Sequence, residues 1–135
     1  MLVIDASLAL AWCFGDEKTP AADRAIDRVR DEGALVPSLW RLEVANVLFA
    51  AERRGRIDRT DLEHRLDLLA ALPIVLDAET DLHAWTDTLL LARVQRLTVY
   101  DAAYLELAMR LGAELGTLDD DLARAAKRIG VPVAG

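Results

Sequence analysis

The chain has 135 residues, of which 53% are hydrophobic and 29% are charged, and its formal net charge is −7. This length and apolar content predict one folded domain, residues 1–135, and exclude a disordered chain. The single cysteine, Cys13, excludes an internal disulfide, and the longest apolar stretch, residues 8–14, is too short to cross a bilayer. Because no signal peptide is visible at the start, we expect a cytoplasmic protein without a membrane segment.

Short apolar runs alternate along the chain with longer segments of helical periodicity. In chain order, the predicted elements are strand Leu2–Ile4, helices 7–14 and 21–31, strand Ala34–Val36, helices 39–54 and 60–71, strand Ile74–Leu76, helices 81–96 and 98–111, strand 114–118, a helix from residue 119 or 120, and residues 131–133 as an additional edge strand. Strands separated by helices form parallel sheets with helices on both faces. We therefore predict an α/β fold of three layers, α/β/α, with a parallel sheet of four to five short strands.

Polar residues at the predicted helix starts suggest specific caps. Ser7 is expected to cap the first helix, and Thr98 the helix that ends at Gly112. Thr60 is expected to open helix 60–71, with Glu63 completing a capping box.

Two acidic residues directly follow predicted strands. Asp5 follows the first strand and Asp119 follows the fourth, and ligands of parallel α/β sheets bind beyond the carboxyl ends of the strands. Glu43 and Asp101 lie in helical segments among apolar neighbours, where an unpaired carboxylate is costly unless a cation or a hydrogen-bond network compensates. Several carboxylates in one pocket without histidine or cysteine suit a hard cation, Mg²⁺ or Mn²⁺.

Each of these acids also has a purely structural interpretation. Asp5 and Asp119 could cap the helices that follow them, and Asp101 could favour the first turn of its helix through the macrodipole. Glu43 could pair with a neighbouring arginine. The presence of all four acids together, with Asp5 and Asp119 on the same sheet edge, favours a site.

Four short motifs occur in a definite order: VIDAS at residues 3–7, LEVAN at 42–46, YDAAYL at 100–105, and TLD at 117–119 before Leu122. In these motifs, in length and in the order of its elements, the chain resembles the PIN-domain ribonucleases of the VapC toxin type. The resemblance covers nearly the whole chain. It implies an acidic cluster of Asp5, Glu43, Asp101 and Asp119 that holds one or two divalent cations, with Asp5 and Asp101 as direct ligands.

The resemblance assigns further residues to supporting roles. Ser7 and Thr117 would be hydroxyl groups of the pocket. Asn46, one helical turn after Glu43 on the same face, would support the acidic cluster without binding the cation directly. The threonine-x-aspartate spacing selects Asp119 as the fourth acid, although Asp121 could also reach the pocket.

The function implied by the resemblance is that of an Mg²⁺-dependent endoribonuclease, with Mn²⁺ as the alternative cation. Such an enzyme is the toxin of a type II toxin–antitoxin pair and hydrolyses RNA phosphodiester bonds with a metal-activated water. The implied partners are an RNA substrate, a small antitoxin protein that docks near the site, and a second copy of the chain in a homodimer. A bound cation would also let RNA approach a protein of net negative charge.

Two other interpretations are weighed against this one. Another Mg²⁺-dependent phosphotransfer module fits poorly, because the only late lysine, Lys127, lies inside a predicted helix and the first motif lacks a second acid after Asp5. A non-enzymatic PIN-fold protein that binds a partner or RNA is the second alternative, since four acidic residues alone do not prove turnover.

Overall fold

The computed structural model describes residues 1–134 and contains four of the predicted strands. They are β1 (Leu2–Ile4), β2 (Ala34–Val36), β3 (Ile74–Leu76) and β4 (Glu114–Gly116). The strands form one parallel sheet in the order β3-β2-β1-β4, so that β1 is central and Ile4 lies beside Gly116. Residues 131–133 add only an isolated parallel bridge, between Val133 and Leu115. The predicted α/β class with a parallel sheet is confirmed.

Helices connect the strands. They are α1 (Ala6–Cys13), α2 (Pro20–Glu32), α3 (Trp40–Arg53), α4 (Arg59–Ala70), α5 (Thr80–His83), α6 (Leu89–Gln95), α7 (Val99–Leu111) and α8 (Asp120–Arg128), with a 3₁₀ turn at Gly15–Glu17 and a π-helical turn at Ala84–Thr88. Helix α7 packs against β1 and β4. None of the helices in residues 1–134 combines the length and apolar character needed to span a bilayer.

The hydrophobic core surrounds β1. Leu2, Val3 and Ile4 are all buried, which explains why this strand is a continuous apolar run rather than an alternating one. Tyr104 of α7 and Leu115 of β4 belong to the same core. Because β1 and β4 are adjacent and parallel, the residues that follow them leave the sheet at the same edge.

The caps of two helices differ from the prediction. Asp5, not Ser7, caps α1, because the Asp5 carboxylate accepts a hydrogen bond from the backbone N–H of Leu8. Helix α4 begins at Arg59, and its capping box joins Asp58 and Asp61 instead of Thr60 and Glu63. In both cases an aspartate just upstream of the predicted cap supplies a charged acceptor for the free N–H groups of the first turn.

Two element bounds also differ. The predicted helix 81–96 is divided into α5, the π-helical turn and α6, and ends at Arg96 in the left-handed conformation. Strand β4 ends at Gly116, two residues early, because the backbone N–H of Leu118 donates to the Ser7 hydroxyl rather than to the sheet. The residues that leave the strand therefore belong to the sheet edge where the acids lie.

Candidate active site

Asp5 is held at the carboxyl end of β1 by donors on both of its carboxylate oxygens. Oδ1 accepts from the Ser7 hydroxyl at 2.7 Å and from the backbone N–H of Leu8 at 3.1 Å, and Oδ2 accepts from the Thr117 hydroxyl. Its own backbone N–H donates to the Gly116 carbonyl at 3.1 Å. With only 5% of its surface exposed, Asp5 has a fixed orientation.

The two hydroxyl groups beside Asp5 join the start of α1 to the start of α8. The Ser7 Oγ accepts from the backbone N–H of Leu118, and the Thr117 Oγ1 accepts from that of Asp119, both at 3.0 Å. A hydroxyl group has only one proton, and here each is donated to Asp5. The predicted pocket hydroxyls are thus fixed as donors to one carboxylate.

Asp119 and Asp101 lie at helix starts. Asp119 caps α8, where its Oδ1 accepts from the backbone N–H of Leu122 at 3.0 Å. Asp101 lies in the first turn of α7, and its backbone N–H donates to the Thr98 hydroxyl that caps this helix, as predicted. Both acids therefore have the structural roles foreseen for them singly, and these roles leave their carboxylates at the edge of the sheet.

Glu43 has a partner that the sequence analysis missed. It lies half-buried on α3, and its Oε1 accepts a hydrogen bond from the hydroxyl group of Tyr104 on α7. Within residues 1–134 no arginine forms an ion pair with Glu43, in contrast to the pairing considered for it. The YDAAYL motif contained the signal, because Tyr104 follows Asp101 by one helical turn and so shares its face.

The charges of the four acids act on one another. Burial raises the pKa of Asp5, and repulsion from Asp119 adds to the rise. Burial also raises the pKa of Glu43, which is further repelled by Asp101 and Asp5. The pKa of Asp101 is raised by burial and by the charges of Asp119 and Asp121. No basic residue contributes to any of these three shifts, so the acids form one electrostatically coupled group.

Two predicted supporting residues lie at the margin of this group. Asp121 is exposed and forms an ion pair with Arg124 on α8, although its charge still acts on Asp101. Asn46 is exposed on α3, and no hydrogen bond within residues 1–134 joins its side chain to an acid of the group. The supporting role of Asn46 stays a prediction.

A further acid at the same sheet edge is of a different kind. Asp77 directly follows β3, and Arg110 of α7 donates to both of its oxygens, at 2.7 and 3.2 Å. Although burial alone would raise it, the pKa of Asp77 is held below its usual value by Arg110, by the Thr80 hydroxyl and by the backbone N–H of Glu79. The ionised form of Asp77 therefore stabilises the fold. Ionisation of Asp5, Glu43 and Asp101 instead lowers the stability of the folded protein.

We expect Asp77→Asn to lower the free energy of unfolding at pH 7 by about 1–3 kcal/mol, because Arg110 would lose a charged acceptor. The folded-state pKa of Asp77 lies below the ordinary value of 3.8, so its stabilisation is complete above that value and is lost as the pH falls through the lower one. Urea denaturation at several pH values would show the difference from the unmodified protein shrinking in acid. An equal loss at acidic and neutral pH would contradict this account.

The donor set of the coupled group fits a hard divalent cation. It consists of carboxylate and hydroxyl oxygens, and both histidines lie elsewhere, His64 exposed on α4 and His83 beside Asp87. Within residues 1–134, no group of three acidic, histidine or cysteine side chains is arranged closely enough to hold a metal ion. Carboxylates that repel one another approach more closely only when positive charge offsets the repulsion.

Comparisons with known proteins bear on the family and the fold of the chain. Residues 2–128 match the family model described as PIN domain. Ribonuclease VapC3 of Pyrobaculum aerophilum is 34% identical over 122 residues, which are 90% of this chain and 92% of that protein.

Two solved structures share the fold. PAE2754 from Pyrobaculum aerophilum superposes with a TM-score of 0.71 and 26% identity, covering 98% of this chain and 83% of that one. VapC20 of Mycobacterium tuberculosis, described as a toxin that cleaves the sarcin–ricin loop, superposes with a TM-score of 0.63 and covers 93% of this chain and 95% of that one. At 12% identity, the second match bears on the fold alone. Sequence and structure together establish that the chain belongs to the PIN-domain family, within its VapC group.

Proposed function

We propose that residues 1–135 form one nuclease domain that hydrolyses RNA phosphodiester bonds with the help of a divalent cation, Mg²⁺ or Mn²⁺. The observation that carries this proposal is the coupled group of Asp5, Glu43, Asp101 and Asp119, whose charges repel one another without a basic partner. The similarity of the whole chain to a protein named Ribonuclease VapC3 supports the same conclusion.

Asp5 and Asp101 are proposed as the direct ligands of the cation, and Glu43 and Asp119 are proposed to complete the acidic set that holds it. Asp119 is preferred to Asp121 as the fourth acid, because the charge of Asp119 acts on both Asp5 and Asp101. Asp121 acts only on Asp101, and its carboxylate is already paired with Arg124.

Individual residues of the chain have separate roles in the proposed reaction. When bound, a divalent cation supplies positive charge opposite the phosphodiester and lowers the pKa of a water molecule. Ser7 and Thr117 hold Asp5 in one orientation by donating to both of its oxygens. Among residues 1–134, only Oε1 of Glu43 has a hydrogen-bond partner. Its Oε2 is therefore proposed to accept a proton from the attacking water, with Asp119 as the alternative acceptor.

We propose further that the protein is the toxin of a type II toxin–antitoxin pair, acting in the cytoplasm where its RNA substrate is found. The proposed protein partners are a small antitoxin and a second copy of the chain in a homodimer. Large apolar side chains on two parts of the surface support such contacts. Leu42 on α3 is 76% exposed and Trp85 in the π-helical turn is 91% exposed, and monomers rarely leave such residues in uncovered groups.

Incubating the purified protein with a pool of structured RNAs tests the activity. Cleavage is expected in Mg²⁺ or Mn²⁺ and is expected to stop when EDTA is added. Cleavage that persists in EDTA would contradict the role of the cation. Saturable RNA binding without cleavage in either ion would instead support the non-enzymatic alternative.

A further inference from the structure

Tyr104 is a buried tyrosine in direct contact with Glu43, one of the acids of the coupled group. Only 1% of its surface is exposed, and it is among the largest fully buried side chains of the described residues. Its ring belongs to the core cluster that contains Ile4 and Leu105, so packing fixes its direction. The hydroxyl group at the end of this ring donates to Oε1 of Glu43.

This hydrogen bond connects two helices that are far apart in sequence. Glu43 lies on α3, and Tyr104 lies 61 residues later on α7, one turn after Asp101. A glutamate has three side-chain torsions and loses considerable entropy when it is held in one position. Among residues 1–134, Tyr104 is the side-chain donor bonded to Glu43, so it supplies the restraint that places this carboxylate relative to Asp101.

We propose that Tyr104 is a positioning residue, which holds Glu43 in the orientation that the site needs to bind a divalent cation. This inference rests on the proposed function. Tyr104 acts through Glu43 and need not touch the cation or the RNA. Partners that orient a metal ligand commonly change metal affinity about 10- to 100-fold when they are removed.

The variant that tests this is Tyr104→Phe, which removes only the hydroxyl group and keeps the buried ring. We expect it to bind Mn²⁺ about 10- to 100-fold more weakly in calorimetry, without any RNA present. We also expect the Mn²⁺ concentration that gives half of the maximal cleavage rate to rise by a similar factor, while the rate at saturating Mn²⁺ falls much less. A purely structural role would lower the active fraction without changing Mn²⁺ affinity. An unchanged far-UV circular dichroism spectrum and a cooperative thermal transition would show that the variant is folded.

The matched control is Tyr100→Phe. Tyr100 is the other tyrosine of the chain, lies one turn earlier on α7 and is 65% exposed. This variant is expected to bind Mn²⁺ as the unmodified protein does, so an equal loss in both variants would overturn the proposal. Equal Mn²⁺ affinity of Tyr104→Phe and the unmodified protein would overturn it as well.

A second variant, Glu43→Ala, keeps the proposal falsifiable even if Tyr104→Phe fails to fold. If Tyr104 acts through Glu43, then Glu43→Ala also weakens Mn²⁺ binding, and this measurement does not depend on whether Tyr104→Phe folds. When Tyr104→Phe does fold, adding it to Glu43→Ala causes no further loss. Full Mn²⁺ affinity in Glu43→Ala would overturn the proposal. If the unmodified protein neither binds Mn²⁺ nor cleaves RNA, the proposed function fails together with this inference. If it does both and only the Tyr104→Phe effect is absent, this inference alone fails.

Discussion

Asp101→Asn is expected to reduce Mg²⁺-dependent RNA cleavage by about 10²- to 10³-fold or more, without unfolding the protein. The substitution keeps the shape of the side chain but removes one of the two proposed direct ligands. A bound cation contributes several kcal/mol to transition-state stabilisation in such sites, and each 1.36 kcal/mol corresponds to about a factor of ten in rate. The initial cleavage rate on a labelled RNA at saturating Mg²⁺ measures the effect, and Asp5→Asn is expected to behave in the same way.

Although Asp101→Asn is expected to lose activity, it is not expected to lose stability. The folded-state pKa of Asp101 is raised by burial and by neighbouring acids, so its ionised form is disfavoured in the folded protein. Its charge therefore costs stability above the ordinary pKa, and removing the charge should leave the free energy of unfolding in EDTA at pH 7 equal or higher. The stabilisation that added Mg²⁺ gives the unmodified protein should disappear.

A control substitution distinguishes the loss of a site residue from the loss of one negative charge elsewhere on the protein. Asp67 is exposed on α4 and has no ion-pair partner within residues 1–134. Asp67→Asn is expected to leave the cleavage rate unchanged, although the net charge changes equally. Undiminished cleavage by Asp101→Asn, or an equal loss in Asp67→Asn, would refute the assignment of Asp101.

Gly33→Ala is expected to lower the free energy of unfolding by about 3 kcal/mol. Gly33 ends α2 with φ +77° and ψ 178°, a backbone conformation that costs other residues on the order of 1–3 kcal/mol. A Cβ atom there would also lie 3.0 Å from the Pro73 carbonyl oxygen, which accepts the hydrogen bond from Ala34 at the start of β2. Urea denaturation measures the loss.

Gly55→Ala tests the cost of a positive φ without a steric contact. Gly55 also has φ +77°, but a Cβ atom there would meet nothing within 4 Å. This variant should therefore lose only the backbone contribution, about 1 kcal/mol. Equal losses in the two variants would show that the contact with Pro73 costs nothing.

Much of the fold could be predicted because its signals are local. The apolar run Leu2–Ile4 is buried throughout, and Thr98 and Gly112 begin and end α7 as their chemistry predicts. Errors arose where two residues compete for one local role. Asp58 rather than Thr60 caps α4, because an ionised carboxylate is a stronger acceptor for the free N–H groups of the first turn.

The candidate site could be predicted in part for a similar reason. A residue that follows a strand of a parallel sheet leaves at the carboxyl edge. Asp5, directly after β1, and Asp119, three residues after the end of β4, could therefore be predicted as candidates from their positions. The same rule predicts that Asp77 lies at this edge. It does not predict that Asp77 is paired with an arginine whereas Asp5 and Asp119 belong to the coupled group. That difference depends on Arg110, which lies 33 residues from Asp77 along the chain.

The sequence by itself determined the alternation of strands and helices and the positions of Asp5 and Asp119 after strands, because hydrophobic periodicity and strand ends depend on residues close together in the chain. Glu43 and Asp101 were joined to them by the family motifs. The tertiary structure alone decided the strand order β3-β2-β1-β4, the pairing of Asp77 with Arg110 and the hydrogen bond from Tyr104 to Glu43. These features depend on which helix packs beside which strand, and packing brings together side chains whose separation in sequence gives no sign of their contact.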